Sequence, residues 1–417
     1  MATRSAAGDA LPARLFLPSA AGVEALLADE VRALLPRARV EARRGGVAVD
    51  GTLADALHVN LESRLAQRVL LEVGHGRYRD EHDLYALARR VDWLRWITPR
   101  QTLKVDVTAQ RSPLRSLNFA ALRVKDAVCD ALREASGARP SVDTRDPDLP
   151  LALHLESDRA TLYVDTSGAP LFKRGWREDA GDAPLKETLA AALLAAAGWR
   201  GLPGAGGALL DPCCGSGTIA IEAAQIACGI APGARRRFAF EGLAPFAPLR
   251  DEWAHLKAEA AARVHASAVP IHASDVSFRM VDFARRNAER AGVAHAIELH
   301  GGDALERPAP VLAADLPGTL IVNPPYGERI DPKGAGSAER EAPHDFFPRL
   351  AAHWKRDFAT HPAGWTAWVL SPDAKLPSRM RLKESRRVPL WNGPIECRLF
   401  RFDMVAGSAR TRDAAGA

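Results

Sequence analysis

Asp211-Pro212-Cys213-Cys214-Gly215-Ser216-Gly217-Thr218 is a glycine loop that lies between an apolar run and a predicted helix. Gly207–Leu210 before it is typical of a short buried strand, and Thr218–Ala224 after it of the first turns of a helix. Gly215 and Gly217 let the backbone approach a ligand, and the helix start offers it unpaired N–H groups. The loop alone would suit a packing turn equally well, so its meaning depends on the rest of the chain.

The spacing of the glycines limits the kind of ligand. Only Gly-Ser-Gly is present, so the third glycine of the dinucleotide fingerprint is missing, and no lysine follows Gly217 as it would in a phosphate loop. A nucleoside without a pyrophosphate is therefore favoured. S-adenosylmethionine fits, because Asp211 could meet its ammonium group directly or through water while the glycines face its ribose.

Two further carboxylates follow predicted strands. Val269–Asp275 is typical of a strand before the amphipathic helix Ser277–Ala291, and Ile297–Asp303 is typical of the next strand. Asp275 could accept hydrogen bonds from both ribose hydroxyls, and Asp303 from the adenine amino group. Each aspartate by itself is more often a helix N-cap. Together with the glycine loop, however, they favour a cofactor site.

Asn323-Pro324-Pro325-Tyr326 follows the mostly apolar run Leu316–Val322 and supplies groups for a reaction. An exocyclic amine on a nucleobase is a poor nucleophile, because its lone pair is delocalised into the ring. The side-chain oxygen of Asn323 and the carbonyl of Pro324 can each accept one N–H, which rotates the amine and stabilises its developing positive charge. Tyr326 offers a flat face for the base. A loop breaker after a buried strand is the alternative, but beside the glycine loop the motif favours methyl transfer to a planar amine.

Residues from about Gly206 to Met404 resemble a class I S-adenosylmethionine-dependent methyltransferase of the Asn-Pro-Pro-Tyr kind. A narrower resemblance, to the large-subunit ribosomal RNA guanine-N2 methyltransferases that carry a THUMP RNA-binding domain, covers roughly residues 14 to 404. The segments that carry it are Gly45–Val49, Leu61–Leu71, Ala121–Ala127, Arg159–Asp165, Ala183–Ala190, Asn323–Arg329 and Trp391–Leu399.

The resemblance implies an α/β fold: a Rossmann-like class I methyltransferase domain with a mostly parallel seven-stranded sheet, preceded by an α+β ferredoxin-like and THUMP RNA-binding region. It implies methyl transfer from S-adenosylmethionine to the exocyclic N2 of a guanosine in large-subunit (23S) ribosomal RNA. The catalytic residues would be Asn323, Pro324, Pro325 and Tyr326. The cofactor would contact Asp211, Cys213, Gly215, Ser216, Gly217, Thr218, Asp275, Gly302, Asp303 and Asn323.

Some members of that family carry a second methyltransferase domain, which acts on a different rRNA position, behind the first. This chain ends at Ala417, soon after the predicted strand Cys397–Met404. Only the guanine-N2 activity is therefore expected of it, and any second rRNA methyltransferase activity is expected from a separate protein.

The elements and the resemblance together predict the order of domains. A disordered tail is expected at 1–10, a ferredoxin-like element at 11–54 and the THUMP domain at 55–168. A linker with the helix Leu185–Gly198 is expected at 169–205, the methyltransferase domain at 206–404 and a disordered tail at 405–417. Trp93 and Trp96 are expected in the core rather than as platforms for RNA bases.

The distribution of charge along the chain is more informative about a nucleic-acid partner than the net charge. A formal charge of +5 and a pI of about 9.1 allow a nucleic-acid partner without demanding one. From Lys375 to Arg412 there are ten basic residues and three acidic ones. Short basic clusters suit phosphate contact, although a solvated surface explains any one of them equally well. The residues predicted to contact RNA are Lys173, Arg174, Arg177, Arg235, Arg236, Arg237 and Arg329.

Composition argues against several classes of protein. The sequence lacks the run of about eighteen apolar residues that a membrane span needs, and its first ten residues lack the apolar core of a secretory signal. The five cysteines show no metal-ligand spacing. No metal site is expected, and the reducing cytoplasm is the simplest compartment.

Four rival functions stay open. An adenine-N6 methyltransferase of RNA or DNA, a cytosine-N4 methyltransferase of DNA, or a protein-amide methyltransferase would use the same four residues. A tRNA guanine-N2 methyltransferase is a further alternative. A catalytically idle RNA-binding assembly factor is the rival from another class. The upstream RNA-binding region argues against a DNA or protein substrate, and the intact Asn-Pro-Pro-Tyr motif argues against an idle module.

Overall fold

A computed structural model of the chain describes residues 12–181, 184–324 and 346–404. The predicted site residues Pro325, Tyr326 and Arg329, and the tails predicted at 1–10 and 405–417, lie outside the described residues. The described chain forms two compact units. The first contains the strand before Ser19, Leu27–Lys173 and Pro232–Ala262; the second contains Ala20–Leu26, Arg174–Ala231 and the described residues from Arg263 onward.

The first unit is built on an eight-stranded mixed sheet with the order β2-β3-β1-β4-β8-β7-β5-β6. Its strands are β1 (Pro12–Pro18), β2 (Arg39–Arg43), β3 (Gly46–Thr52), β4 (Leu70–Arg77), β5 (Thr102–Gln110), β6 (Ser141–Val142), β7 (Leu149–Glu156) and β8 (Arg159–Asp165). The pairing of β1 with β4 makes the predicted ferredoxin-like and THUMP parts share one sheet.

The second unit is built on a seven-stranded sheet with the order β11-β10-β9-β12-β13-β15-β14. Its strands are β9 (Ala208–Asp211), β10 (Ile271–Asp275), β11 (Ile297–Gly301), β12 (Gly318–Val322), β13 (Trp365–Ser371), β14 (Arg386–Asn392) and β15 (Ile395–Met404). β15 runs antiparallel to its neighbours, while the pairings among β9 to β13 are parallel. The predicted mostly parallel sheet of seven strands is therefore confirmed.

The described chain also contains ten α-helices. They are α1 (Glu24–Leu34), α2 (Leu53–Glu62), α3 (Glu81–Arg89), α4 (Leu117–Ser136), α5 (Glu187–Ala197), α6 (Thr218–Ala227), α7 (Arg250–Ala262), α8 (Phe278–Ala291), α9 (Phe346–Asp357) and α10 (Leu376–Met380). None of them is both long and apolar enough to cross a membrane.

Local sequence explains where many elements begin. The hydroxyl of Thr52 accepts the amide of Asp55 at 3.2 Å, and the Asp55 carboxylate accepts the amide of Thr52 at 2.8 Å, so a reciprocal capping box starts α2. Gly198 and Gly292 end α5 and α8 with φ near 75°, because glycine adopts the left-handed conformation without strain.

The segment Pro232–Ala262 belongs to the first unit, although it was predicted to lie within the methyltransferase domain. Its aromatic side chains pack together, with the Phe240 and Trp253 rings edge to face at 5.0 Å between centroids. Trp253 also packs edge to face against Phe238. A domain boundary drawn as one continuous range therefore does not describe how this part of the chain packs.

The two tryptophans predicted to lie in the core differ in how deeply they are buried. Trp93 is buried, and its indole N–H donates to the carbonyl of Ala88 at 2.8 Å. Trp96 is half-buried and lines an open cleft of about 770 Å³. The prediction for Trp96 was wrong, because it follows the short 3-10 turn Trp93–Arg95, which buries Trp93 alone.

Candidate active site

The carboxyl ends of four parallel strands bring the predicted site residues to one edge of the second sheet. β10 pairs with β9 and β11, and β12 pairs with β9. In space the edge runs from Asp303 through Asp275 and Asp211 to Asn323, which differs from their order along the chain. The strand order reverses between β9 and β12, and open α/β sheets bind ligands in the crevice at such a reversal. Asp211 and Asn323 end the two strands that flank this crevice.

The glycine loop has a backbone that glycine adopts without strain. Gly215 has a φ of 53° and Gly217 a φ of 87°. A Cβ on Gly217 would lie 3.0 Å from the Cβ of Ala284, whereas one on Gly215 would meet no atom within 4 Å. The amide of Gly215 donates to Asp275 Oδ2 at 2.9 Å, which fastens the loop to the end of β10. The loop thus leaves open space beside Gly215, where a ligand can approach the backbone.

Asp211 is a buried carboxylate with an unsatisfied oxygen. It is 1% exposed, and its Oδ1 accepts the amide of Cys213 at 3.3 Å. Its Oδ2 is buried and has no hydrogen-bond partner among the described residues. Burial, together with the charge of Asp275, raises the pKa of Asp211 well above its usual value. A cation placed against Oδ2 would offset this cost, so Asp211 fits the ammonium group of S-adenosylmethionine.

The cysteines of the loop do not offer a reactive thiolate. Burial raises the pKa of the Cys213 thiol well above its usual value, and the carboxylates of Asp211, Asp275 and Asp303 add to the effect. The pKa of the Cys214 thiol is raised in the same way. A nucleophilic cysteine needs the opposite surroundings, with a lowered pKa. Direct transfer to the acceptor is therefore favoured over a methylated cysteine intermediate.

Asp275 holds the loop and keeps capacity for a ligand. Its Oδ2 accepts the amide of Gly215 and its Oδ1 accepts the amide of Ser277, both at 2.9 Å. A carboxylate oxygen has two lone pairs, so each can accept one more hydrogen bond. Asp275 can therefore bind two ribose hydroxyls while it still supports the glycine loop.

We expect Asp275→Ala to weaken S-adenosylmethionine binding by about 1–3 kcal/mol, the scale of lost hydrogen bonds to a charged acceptor. Part of this loss arises in the loop, because Gly215 N–H loses its acceptor. Asp275→Asn, which keeps one acceptor oxygen, should lose less. Calorimetric titration measures the affinities, and thermal unfolding checks the fold. An unchanged affinity in folded Asp275→Ala would remove Asp275 from the site.

The loop after β11 completes the edge. The amide of Gly302 donates to the carbonyl of Asp275 at 3.0 Å, which joins this loop to the end of β10. Asp303 Oδ1 accepts the amide of Leu305 at 2.9 Å. Half of the Asp303 carboxylate therefore stabilises a local turn, and the other oxygen is left for an adenine amino group.

Val276 and Phe278 also belong to this edge, although neither was among the predicted site residues. Their side chains are 67% and 81% exposed, although both are apolar. A Cβ on Gly301 would lie 2.6 Å from the Phe278 ring, so this ring covers the end of β11. Apolar surface beside Asp275 and Asp303 suits the flat face of an adenine. The available signal was two apolar residues within three positions after Asp275, where a surface turn usually carries polar residues.

Asn323 and Pro324 lie at the end of β12, as the motif predicted. Asn323 is half-buried, and its Oδ1 is buried without a hydrogen-bond partner among the described residues. Pro324 is buried. A buried acceptor without a donor is costly, so Asn323 Oδ1 is ready for an N–H of a ligand. Pro325 and Tyr326 lie outside the described residues.

Arg177, predicted to contact RNA, instead supports the glycine loop. Its guanidinium pairs with Glu187 at 2.8 Å and donates to Ser216 Oγ at 3.2 Å and Thr218 Oγ1 at 2.8 Å. The side chains of Arg177 and Glu187 are only 15% and 4% exposed. The prediction for Arg177 was therefore wrong, because its donors are used inside the domain. The hydroxyls of Ser216 and Thr218 accept these hydrogen bonds, and each keeps its own O–H as a donor.

Asn287 on α8 is a second residue that shapes the loop. It is buried, and its amide nitrogen donates to the carbonyl of Ser216 at 3.1 Å and to that of Asp179 at 2.9 Å. Sequence offered no signal for this role, since a lone asparagine in a helix is common. The contact fixes the position of the loop relative to α8.

Two other basic residues have structural roles. Arg174 is 2% exposed and pairs with the fully buried Glu222 at 3.1 Å, so it cannot reach RNA, and that prediction was wrong. Arg236 donates to the carbonyls of Pro170 at 2.7 Å and Ser167 at 3.1 Å, which explains its position without RNA. Lys173, Arg235 and Arg237 are exposed and stay predicted RNA contacts. No cluster of residues that could hold a metal ion occurs in the part of the chain that the structure describes.

Comparison with known families agrees with this architecture. The family model described as "RMKL-like, methyltransferase domain" matches residues 174–401, more than half of the chain. The chain belongs to this methyltransferase family. The THUMP domain matches residues 78–165, and the RlmL ferredoxin-like domain matches residues 14–70. The predicted resemblance and fold class are confirmed, while the exact domain limits stay predictions.

Three relatives illustrate the likeness. "Ribosomal RNA large subunit methyltransferase K/L" of Syntrophotalea carbinolica is 39% identical over 94% of this chain and 54% of its own length. SMU.472, named as a methyltransferase and solved in complex with SAH, has a TM-score of 0.80 at 27% identity, over 94% of this chain and 98% of that one. A Listeria monocytogenes protein named a predicted N6-adenine-specific DNA methylase has a TM-score of 0.79 at 28% identity, over 94% and 96%. The chain spans about half the length of the curated relatives it matches.

Proposed function

We propose that this chain transfers a methyl group from S-adenosylmethionine to the exocyclic N2 of a guanosine in large-subunit (23S) ribosomal RNA. The cofactor class follows from membership of a methyltransferase family and from the SAH bound to SMU.472. The observation that carries the reaction type is that Asn323 Oδ1 is buried without a hydrogen-bond partner among the described residues, as is Asp211 Oδ2 at the end of the neighbouring strand. The Asn323 oxygen suits the amine that reacts, and the Asp211 oxygen suits the ammonium group of the methyl donor.

S-adenosylmethionine supplies an electrophilic methyl on a sulfonium. Asp211 would hold its ammonium group, and Asp275 would hold its ribose beside the glycine loop. Asn323 Oδ1 and the Pro324 carbonyl each accept one N–H of the target amine, so its lone pair turns out of the ring plane towards the methyl carbon. The C–N bond forms as the C–S bond breaks, and the sulfur leaves as a neutral thioether.

The positive charge then resides on the amine nitrogen, where the same two acceptors stabilise it. The methylated nitrogen has become acidic and releases its proton to water, so no titrating base is needed. The neutral state of the Cys213 thiol agrees with this one-step route.

Large-subunit rRNA as the substrate is supported by the names of the curated relatives and by the THUMP domain that precedes the catalytic unit in the sequence. The choice of guanine rests on the resemblance of Asn323–Arg329 and of the front half of the chain to guanine-N2 methyltransferases. RNA is recognised largely by shape and backbone, which suits an anchor separate from the pocket that holds an unstacked base. The second candidate is an adenine-N6 methyltransferase. The name of the Listeria monocytogenes neighbour favours it, since the same acceptors suit either amine.

The identity of the product tests the proposal. The full chain is incubated with methyl-labelled S-adenosylmethionine and unmodified 23S rRNA, and the RNA is then digested to nucleosides. Label in N2-methylguanosine is the expected result, with tRNA and duplex DNA as parallel substrates that should stay unlabelled. Label in methyladenosine, or on tRNA or DNA alone, would reject the assignment.

A further inference from the structure

The three carboxylates of the candidate site cannot bind every part of S-adenosylmethionine. Asp211 fits its ammonium group, Asp275 its ribose and Asp303 its adenine, but all three would repel its carboxylate. A carboxylate that is shielded from water needs hydrogen-bond donors, because an unpaired buried charge is costly. The two side-chain hydroxyls of the glycine loop can supply such donors if their protons are free.

Arg177 determines how these two hydroxyls are used. Its Nη1 donates to Ser216 Oγ at 3.2 Å, and its Nη2 donates to Thr218 Oγ1 at 2.8 Å. A guanidinium has donors and no acceptor, so both hydroxyls must act as acceptors towards it. Each hydroxyl therefore keeps its own O–H for a different acceptor, and none of the residues that the structure describes supplies one.

Arg177 is itself held in one orientation. Its Nε donates to Glu187 at 2.8 Å, and its Nη2 also donates to the carbonyl of Leu185 at 2.9 Å. One N–H of Nε, one of Nη1 and both of Nη2 are thus used, which is four of the five that a guanidinium has. Burial raises the pKa of Glu187, and the charge of Arg177 opposes this shift. An arginine with so little freedom can orient the hydroxyls that it contacts.

The segment that carries Arg177 is fixed to the same helix as the glycine loop. Asn287 on α8 donates to the carbonyls of Asp179 and Ser216, at 2.9 and 3.1 Å. The Asp179 carboxylate also accepts from Arg286 on α8 at 2.9 Å. This segment was predicted to be part of a linker, yet its contacts place it against the loop and α8. The position of Arg177 relative to the two hydroxyls is therefore set by the fold.

The surroundings of the two hydroxyls suit an anion. Ser216 and Thr218 are only 6% and 4% exposed, so an O–H without an acceptor is costly there. Thr218 is the first residue of α6, and the N-terminal end of a helix favours negative charge. A carboxylate of the ligand would satisfy both donors.

We propose that Arg177 is a positioning residue for the cofactor, because it keeps the hydroxyls of Ser216 and Thr218 as donors to the carboxylate of S-adenosylmethionine. The proposal rests on the part of the proposed function that names the cofactor, and not on the base that is methylated. Arg177 acts through the two hydroxyls rather than by touching the reacting atoms.

Calorimetric titration with S-adenosylmethionine and with decarboxylated S-adenosylmethionine tests the proposal, because the second ligand lacks only the carboxylate. The wild-type chain should bind the complete cofactor roughly a hundredfold more tightly, the scale of two hydrogen bonds to a charged group. Ser216→Ala and Thr218→Val should each weaken binding of the complete cofactor by about tenfold and hardly change binding of the analogue.

The role of Arg177 is tested in a double variant, Arg177→Met with Glu187→Gln, because the second change avoids an unpaired buried carboxylate. Its discrimination between the two ligands should fall by about tenfold or more. The matched control is Arg174→Met with Glu222→Gln, which removes another buried Arg–Glu pair beside α6. This control should keep the discrimination, even if thermal unfolding shows a loss of stability.

Arg177→Lys is a second variant, which keeps the charge beside Glu187 but lacks the planar fork that reaches both hydroxyls. Its discrimination should fall as well, so the test stays decisive if the double variant does not fold. Unchanged discrimination in the Arg177 variants, or in both hydroxyl variants, would overturn the inference. An equal loss of affinity for the two ligands would also overturn it, since a general disturbance of the fold gives that result.

The wild-type chain separates this inference from the choice of cofactor. Binding of both ligands with equal affinity would reject only the carboxylate site. A chain that binds neither ligand would reject the cofactor, and the inference with it.

Discussion

Asn323→Ala should lower kcat for RNA methylation by about a hundredfold or more, while the affinities for S-adenosylmethionine and RNA stay nearly normal. Asn323 Oδ1 is a buried acceptor that no described residue satisfies. Its hydrogen bond to the reacting amine strengthens as positive charge develops on nitrogen, so the loss falls on the transition state. Removal of one such positioned group costs a hundredfold to a thousandfold in other enzymes. Single-turnover rates at saturating RNA measure the chemical step directly.

Asn323→Asp is the matched variant, because it keeps an acceptor oxygen at the same position. It should retain part of the activity that Asn323→Ala loses. If Asn323→Ala raised KM and left kcat unchanged, the side chain would only bind substrate, and the proposed role in the reaction would be wrong.

Asp211→Asn should weaken S-adenosylmethionine binding by about 150- to 5,000-fold. The carboxylate is 1% exposed, and with the cofactor bound it would form a buried ion pair with the ammonium group. Removal of one partner of such a pair leaves an uncompensated buried charge, which costs about 3–5 kcal/mol. Calorimetric titration of both proteins measures the loss, and a less than threefold change would place the ammonium elsewhere.

The same substitution should make the cofactor-free protein more stable at neutral pH. Burial and the charge of Asp275 raise the folded-state pKa of Asp211. Below the pKa of about 3.9 that an aspartate has in the unfolded chain, the carboxyl is neutral in both states and the protein has its full stability. As the pH rises through the folded-state pKa, this stability is lost. Asparagine stays neutral and avoids that loss. Thermal unfolding at a series of pH values should show the two proteins converge in acid and diverge above it. Equal curves throughout would mean that the buried carboxylate carries no such cost.

Protonation should also affect cofactor binding. Below the folded pKa of Asp211 the wild type must release a proton to meet the ammonium, so its affinity should fall by up to tenfold per pH unit as pH decreases. Asp211→Asn should lack this dependence, since no carboxylate remains to titrate. The comparison separates Asp211 from other groups that titrate in the same range.

A truncation that keeps only residues after 169 would be a poor test of the THUMP-containing unit. Pro232–Ala262 belongs to that first unit and would lose the residues it packs against. Arg236, for example, donates to the carbonyl of Ser167, which such a fragment lacks. Point variants of exposed residues in the full chain avoid this difficulty.

Local pattern accounts for the elements that carry the site. β9, α6 and α8 were predicted within two or three residues, because apolar periodicity and glycine turns act over a few neighbouring residues. The positions of Asp211, Asp275 and Asn323 at strand ends follow from the same signals. These features, and the resemblance of the glycine loop and Asn-Pro-Pro-Tyr motif to a methyltransferase, were determined by the sequence itself.

The tertiary structure alone decided which charged side chains are available. Arg174 and Arg177 lie in a basic cluster of the sequence, yet their partners Glu222 and Ser216 are 48 and 39 residues away along the chain. No local pattern encodes such pairing, because it depends on which elements pack together. The same holds for the crevice between β9 and β12 and for the exposed Val276 and Phe278. Composition shows that the charges exist, but packing and burial determine which of them can meet a ligand.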